Sequence, residues 1–528
     1  DVRGGYGAGN CDPTNPIYGV NCATDPIYRV TRARFNEPGE TSAKDTALFI
    51  QDTWSITDKW TVKLGLRSST QKLKGAGEFV VPIRQVAAGL FINDPQSFKP
   101  NSYDFDTEWS PRFGVTFDPL GNGKVKFYAS AARYFERVPS DLAVRQFSNE
   151  FGVSKFEFTD PNLTTRRGTT GSPSLQGLGT TSVQPGTKLP YEDEYVVGWQ
   201  QLVRPDLSVE VRGVFRKQGR VLEDVQFAVL EDIQNYYYGG VCVQVGANAC
   251  AQRTTKPFPT YGSAPFGSYV LANPGENTEG PFGKPEREYK AIEVQIEKRL
   301  SNHWAGFANY RYSRLQGNYE GLFRNDNGQS DPNITSLFDF PNSTLMRGQY
   351  QSGYLNNDRP HVLHVGGTYF FDSGLEVGGI LNWQSGRPRT PMLAHPNYQN
   401  AGELPGRDPL YYSWDTSLND GQGGWLLAEN CPDSSYGCFL GSYTDAPRGY
   451  LGRMPDLSTI DFHVGYGRNI GKTHMKVSLD VSNLFNAQEV QNYNDDAETA
   501  AAVKDPEYLK ILGYQQPRSV RLAVLWDW

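Results

Sequence analysis

Carboxylates, histidines, cysteines and clustered tyrosines are the residues of this sequence that could do chemistry. Asp495, Asp496 and Glu498 stand together in "NDDAE", and hard carboxylate oxygens at that density could hold Ca²⁺, although such a run is more often a solvated loop. His361 and His364 lie three apart, a spacing that in a strand sends the two rings to opposite faces and works against a shared metal. G-x-S-x-G, H-E-x-x-H and P-loop patterns are absent. The glycine-rich "GGYGAG" at Gly4 to Gly9 follows no strand and opens no helix, so it does not read as a phosphate cradle. The sequence therefore predicts no enzyme, no catalytic residue and no cofactor.

Six cysteines fall into three local pairs, Cys11 with Cys22, Cys242 with Cys250 and Cys431 with Cys438, all in Gly/Asn/Pro-rich segments. None forms a C-x-x-C knuckle. Among the connectivities open to six cysteines the local ones close the shortest loops, and three such disulfides imply an oxidising compartment; unpaired loop thiols are the alternative. Two loop clusters, Tyr236, Tyr237 and Tyr238 in "NYYYGG" and Tyr411, Tyr412 and Trp414 in "LYYSW", offer large contact area with polar tips and are candidate ligand contacts. Packing of their own loops, or contact with lipopolysaccharide, would use the same side chains.

The elements that carry these loops have a period of two. "MKVSLDVSNLF" alternates Met475, Val477, Leu479 and Val481 against Lys476, Ser478, Asp480 and Ser482, and the terminal "SVRLAVLWDW" sets Val520, Leu522, Val524, Trp526 and Trp528 on one face. Similar runs pair through short turns: Ala47 to Ile56 with Trp60 to Leu73, Pro111 to Asp118 with Val125 to Phe135, and Tyr191 to Val203 with Leu207 to Lys217. Glu288 to Leu300 pairs with Trp304 to Tyr312, His361 to Phe371 with Leu375 to Gln384, and "STIDFHVGYG" with Met475 onward. That makes about thirteen strands. Long segments rich in Gly, Asn, Pro and Tyr, such as Val221 to Glu286 and Arg389 to Met454, join one hairpin to the next.

Loops that long are rare in compact soluble domains. Short turns at one end, long loops at the other and apolar-out, polar-in strands are what a transmembrane antiparallel β-barrel requires. No run approaches the length of a spanning helix, so any embedding is by strands. Trp54, Trp60, Trp304, Trp526 and Trp528 fall near short-turn ends and form an expected aromatic girdle. Lys63, Arg67, Lys126, Glu210, Arg212, Glu293, Glu297 and Asp480 fall on the opposite faces, an expected polar lumen wall. The rival is a soluble β-sandwich with the tryptophans in its core. A net charge of -7 without a basic stripe argues against nucleic acid as partner. "YRVTRARFN" could be a fourteenth strand, although its alternation is poor; without it the count is odd, and an odd count cannot close with both barrel ends on one side.

"ALFIQDTWSITDKWTVKLGLR", "DRPHVLHVGGTYFF", "VGGILNWQSGRPRT" and "VSLDVSNLFNAQEV", in that order, resemble the β-barrel of TonB-dependent outer-membrane receptors, and within them the Oar-like members. The resemblance runs from about Ala47 to Trp528, and the chain ends on Trp528 where phenylalanine is common. It implies a Gram-negative outer-membrane location and a barrel of about 22 strands, of which residues 45–528 supply the C-terminal part and residues 1–44 an extracellular loop with a disulfide. It also implies an N-terminal plug, a TonB box and earlier strands outside this sequence. Its implied function is active transport of a scarce small-molecule, glycan or peptide cargo, with TonB and outer-membrane lipid as partners. A passive channel and a structural or adhesive surface protein are the alternatives.

Overall fold

The computed structural model describes residues 42–74, 102–140, 186–226, 269–276, 284–324, 352–393, 448–471, 473–500 and 503–527, with short strand segments between them. Its main feature is one antiparallel sheet of 15 strands, thirteen long ones in strict sequence order and two short ones beside them. The long strands are β1 Ser42–Ser55, β2 Trp60–Lys74, β3 Glu108–Phe117, β4 Val125–Phe135, β5 Tyr191–Arg204, β6 Leu207–Arg220 and β7 Arg287–Ser301. There follow β8 Trp304–Gly317, β9 His361–Phe370, β10 Leu375–Gln384, β11 Leu457–Ile470, β12 Thr473–Ser482 and β13 Ser519–Asp527. The short strands Ser102–Asp104 and Gly353–Tyr354 extend β2 and β8. β1 and β13 lie at opposite ends of the strand order. The thirteen strands read from the sequence are the thirteen observed, and several continue further into the long-loop end.

Short turns alternate with long connections without exception along this order. At the β7–β8 turn Asn302 and His303 take φ of 50° and 69°, the left-handed pair that a two-residue hairpin needs to match strand twist. In the β3–β4 turn Asp118 accepts from the backbone N–H groups of Gly123 at 2.6 Å, Gly121 at 3.0 Å and Leu120 at 3.1 Å, and these bonds, Gly123 first, hold its carboxyl below the usual range.

The β5–β6 turn is tied to its neighbour by Asp206, which accepts from Ser301 at 2.5 Å and pairs with Lys298 at 2.8 Å. Those two bonds, Lys298 first, pull the Asp206 carboxyl down to about 2. A folded value below the ordinary one means that the contribution is complete above about pH 4 and is lost as the pH falls through about 2. Asp206→Asn is expected to be less stable than the unaltered protein at pH 7, with most of that difference gone at pH 2. Unfolding midpoints at the two pH values check this, and a difference that does not vary with pH would contradict it.

Register fixes which side chains share a face. Val62, Val115, Ala129 and Val197 form one row, and Tyr466, Val477 and Val524 another. Both are apolar, and this face is open: Leu48 is 75%, Val197 64% and Leu522 70% exposed. Soluble proteins rarely leave a continuous apolar face of this extent in water. The sandwich alternative places these side chains inside a core, whereas here they face outward from a single sheet. The tryptophans join further rings at the short-turn end. Trp60 stacks on Phe117 at 4.3 Å and Phe117 on Phe127 at 6.4 Å, while Trp304 pairs in register with Tyr369, which meets Phe371 at 4.7 Å. Trp54 and Trp526 are also exposed; Trp528 lies outside the described residues.

"YRVTRARFN" does form a strand, Ile27–Phe35, but not in the main sheet. It pairs with Val2–Tyr6 and with Phe151–Phe158, a strand in the long β4–β5 connection.

Candidate functional site

Facing away from the apolar surface, the inner wall carries charges that are paired with one another. Arg521 donates to Asp480 at 2.9 and 3.1 Å, Asp480 meets His463 Nδ1 at 2.6 Å, His463 Nε2 meets Glu376 at 2.8 Å, and Lys476 closes on Glu376 at 2.5 Å. Both ring nitrogens of His463 thus face carboxylates, in one chain of contacts across β10 to β13. Further round the wall Arg212 donates to Glu293 at 2.6 Å, and Tyr128 bonds Glu210 while Lys126 lies 5.0 Å over its ring. Gly198 makes that reach possible: a Cβ there would meet the Tyr128 ring at 2.3 Å.

The wall encloses a concave space of about 1190 Å³ lined by Glu297, Asn309, His364, Asp461, His463 and Arg521, among others. Of the polar residues expected inside, Glu297 and Asp480 line it, Glu210, Arg212, Glu293 and Lys126 join the contacts described above, and Lys63 and Arg67 fall on the inward face by register. His361 and His364 separate as expected: His361 stacks outward with Trp383 at 6.2 Å, and His364 turns inward against Phe307 at 4.7 Å.

Two knots organise the long-loop rim. In the first, Leu73, Phe105, Val138, Leu142, Leu189, Leu222 and Leu271 form a buried apolar cluster from the bases of three loops. Gln71 exchanges two bonds of 2.9 Å with the Val138 backbone, and Asn273 does the same with Lys188 at 2.7 and 3.0 Å. Buried Arg220 donates to Glu108 and to the Leu189 carbonyl, both at 2.9 Å.

The second knot is built of arginines from "SGRPRTP" and "PRGYLGR", residues that single-sequence reading passed over. Arg448 pairs with Glu320 and Arg453 with Asp358, while Arg387 bonds Asn356 and, at 3.1 Å, Asn492. Arg359 donates to the Ser385 carbonyl at 2.8 Å; burial lowers its guanidinium pKa, as do Arg387, Arg311 and Arg453 nearby. Arg389 takes Asp495 at 2.5 Å and lies 4.0 Å over Tyr493. Burial pushes the Asp495 carboxyl up against that pairing.

The acidic run therefore does not gather round a cation. Asp495 is committed to Arg389, Glu498 is buried, and among the described residues no three His, Cys, Asp or Glu side chains are placed to share a metal. Tyr236, Tyr237, Tyr238, Tyr411, Tyr412 and Trp414 lie outside the described residues, as do Cys11, Cys22, Cys431 and Cys438. Cys242 and Cys250 sit on two short paired strands, Cys242–Gln244 and Cys250–Arg253, with their side chains outside the described set.

A lipid-ready outer face, a charged inner wall and loops grouped at one end are now in place, and a family model described as an outer membrane beta barrel domain matches residues 22–513. The chain belongs to that family. This barrel therefore resides in the outer membrane, with its short turns toward the periplasm and its long loops outside. The TonB-dependent transporter Oar of Myxococcus xanthus is 27% identical over 505 residues, covering 88% of this chain and 38% of that protein. The chain thus spans well under half of its relative's length. The barrel is similar in fold to the outer membrane transporter YddB of Escherichia coli (11% identity, TM-score 0.46, 95% of this chain and 55% of that one). It is likewise similar to the siderophore receptor PiuA of Acinetobacter baumannii (12%, 0.44, 92% and 43%).

Proposed function

We propose that this barrel forms the lumen wall and outer loops of a TonB-dependent active transporter. The observation that carries the reading is the similarity to the Myxococcus xanthus transporter along 88% of the chain, joined to a polar wall whose charges are internally paired. A wall of that kind offers water-filled passage without holding any one sign of cargo. The outer membrane has no ATP, so energy arrives as TonB acts on an N-terminal plug, and about 22 strands complete the barrel around it. The loop aromatics Tyr236, Tyr237, Tyr238, Tyr411, Tyr412 and Trp414 contact cargo, and the three local cysteine pairs staple the loops that present them.

Full-length protein in its own cells tests this. Loss of TonB should reduce cargo accumulation about tenfold or more while surface binding persists, as expected where binding and energised release are separate steps. Accumulation that continues unchanged without TonB, together with free ion conduction by the purified full-length protein in planar bilayers, would instead mark a passive channel.

A further inference from the structure

Six neighbouring strands bring Phe113, Ala131, Tyr195, Phe215, Lys290 and Arg314 onto one outward row. On the next row toward the turns stand Val115, Ala129, Val197, Gly213, Ile292 and Tyr312. The small side chains Ala129, Ala131 and Gly213 leave a groove of about 710 Å³ in the outer surface. Its walls are apolar and aromatic, with Tyr195 stacked on Phe215 at 6.0 Å, and its loop-side end is cationic.

Charge there is unbalanced. On the row nearer the loops Arg133 is held by Asp193 through bonds of 2.7 and 2.8 Å. Glu288 is shared by Lys217 at 3.0 Å and Lys290 at 3.2 Å, and Arg314 bonds Tyr312, so Lys217, Lys290 and Arg314 have one carboxylate in direct contact, with Glu286 and Asp358 acting on Lys217 and Arg314 from further away. Depth fits a headgroup. From Lys290 to the Trp304 girdle, which pairs with Ser301 on β7, the strand rises ~3.3 Å per residue at a tilt of ~40°, or roughly 28 Å in all, against an apolar band of ~25 Å. The cations therefore stand just beyond the hydrocarbon of the outer leaflet.

We propose that this groove is a lipopolysaccharide site, with an acyl chain of lipid A against Ala129, Ala131 and Gly213 and a lipid A phosphate held by Lys290 and Arg314. Acyl chains need an apolar slot and the phosphate needs cations at one end of it, and the groove presents both in that order. The site is independent of any transport role, because it faces lipid and not the lumen.

Purified full-length protein titrated with lipid A, followed by native mass spectrometry, tests the assignment. The double variant Lys290→Glu/Arg314→Glu should weaken binding about a hundredfold, the effect of losing two charge-assisted contacts. Ala131→Phe should also weaken it, while Lys124→Glu in a periplasmic turn should not. Unaltered protein should bind dephosphorylated lipid A and phosphatidylglycerol much more weakly, a comparison that holds even if a variant fails to fold. Equal affinity for phosphorylated and dephosphorylated lipid A, equal affinity for phosphatidylglycerol, or unchanged binding by folded variants would overturn the proposal.

Discussion

Ile296→Arg is expected to destabilise the barrel by about 2–4 kcal/mol, the cost of an arginine near the bilayer midplane on a lipid-facing strand position. Ile296 lies midway along β7, between the Trp304 girdle and the cationic row at Lys290, on the row with Val209 and Ala308. It is 38% exposed on the open outer face, and the part it exposes loses hydrocarbon contact on substitution. The neighbouring Gln295 pairs in register with Glu210 and faces the lumen, so Gln295→Arg should shift stability by no more than about 0.5 kcal/mol. Urea unfolding in lipid vesicles measures both. Equal effects at the two positions would mean that one sheet face is not set apart by lipid.

Arg448→Ala is expected to release the second rim knot and leave the barrel wall intact. Arg448 and Glu320 are 5% and 3% exposed, and removing the cation breaks an ion pair in a site closed to water. Breaking one partner of a buried pair costs about 3–5 kcal/mol. Amide exchange in 318–324, 352–358 and 448–452 should therefore accelerate by about two to three orders of magnitude, while exchange in β7 and β8 stays unchanged. The double variant Arg448→Ala/Glu320→Ala should recover part of the loss, because the buried carboxylate and its desolvation cost are removed with the cation. Unchanged exchange in those loops would remove the knot from the account.

What could be read from the sequence was what repeats at short range. Met475, Val477, Leu479 and Val481 set against Lys476, Ser478 and Asp480 specify a strand and its two faces without reference to any other part of the chain. The turn residues Asp118, Asn302 and His303 act within their own hairpins, and so the thirteen strands and their short turns were legible. Paired lumen charges were half legible: Asp480 and Arg212 could be assigned to the inner face, but their partners depend on which strand lies beside which. The rim was not legible. Arg359, Arg387, Arg389, Arg448 and Arg453 come from two long connections and meet acids and amides from neighbouring loops, contacts that no local spacing announces. For the same reason "NDDAE" reads as a possible cation loop until Arg389 is seen to occupy Asp495. The girdle was underestimated, since Phe117, Phe127, Tyr369 and Phe371 join the tryptophans only through cross-strand register.

Nitroxide labels placed one at a time from residue 291 to 297 along β7 of the full-length protein, reconstituted in bilayers, test the central claim most directly. Oxygen concentrates in hydrocarbon and a charged nickel chelate in water, so power-saturation accessibilities report the solvent of each side chain. Positions 292, 294 and 296 should favour oxygen, and 291, 293, 295 and 297 should be oxygen-poor, with the chelate admitted wherever the lumen is open. Oxygen accessibility without a period of two along β7 would contradict a wall that has lipid on one side and a polar lumen on the other.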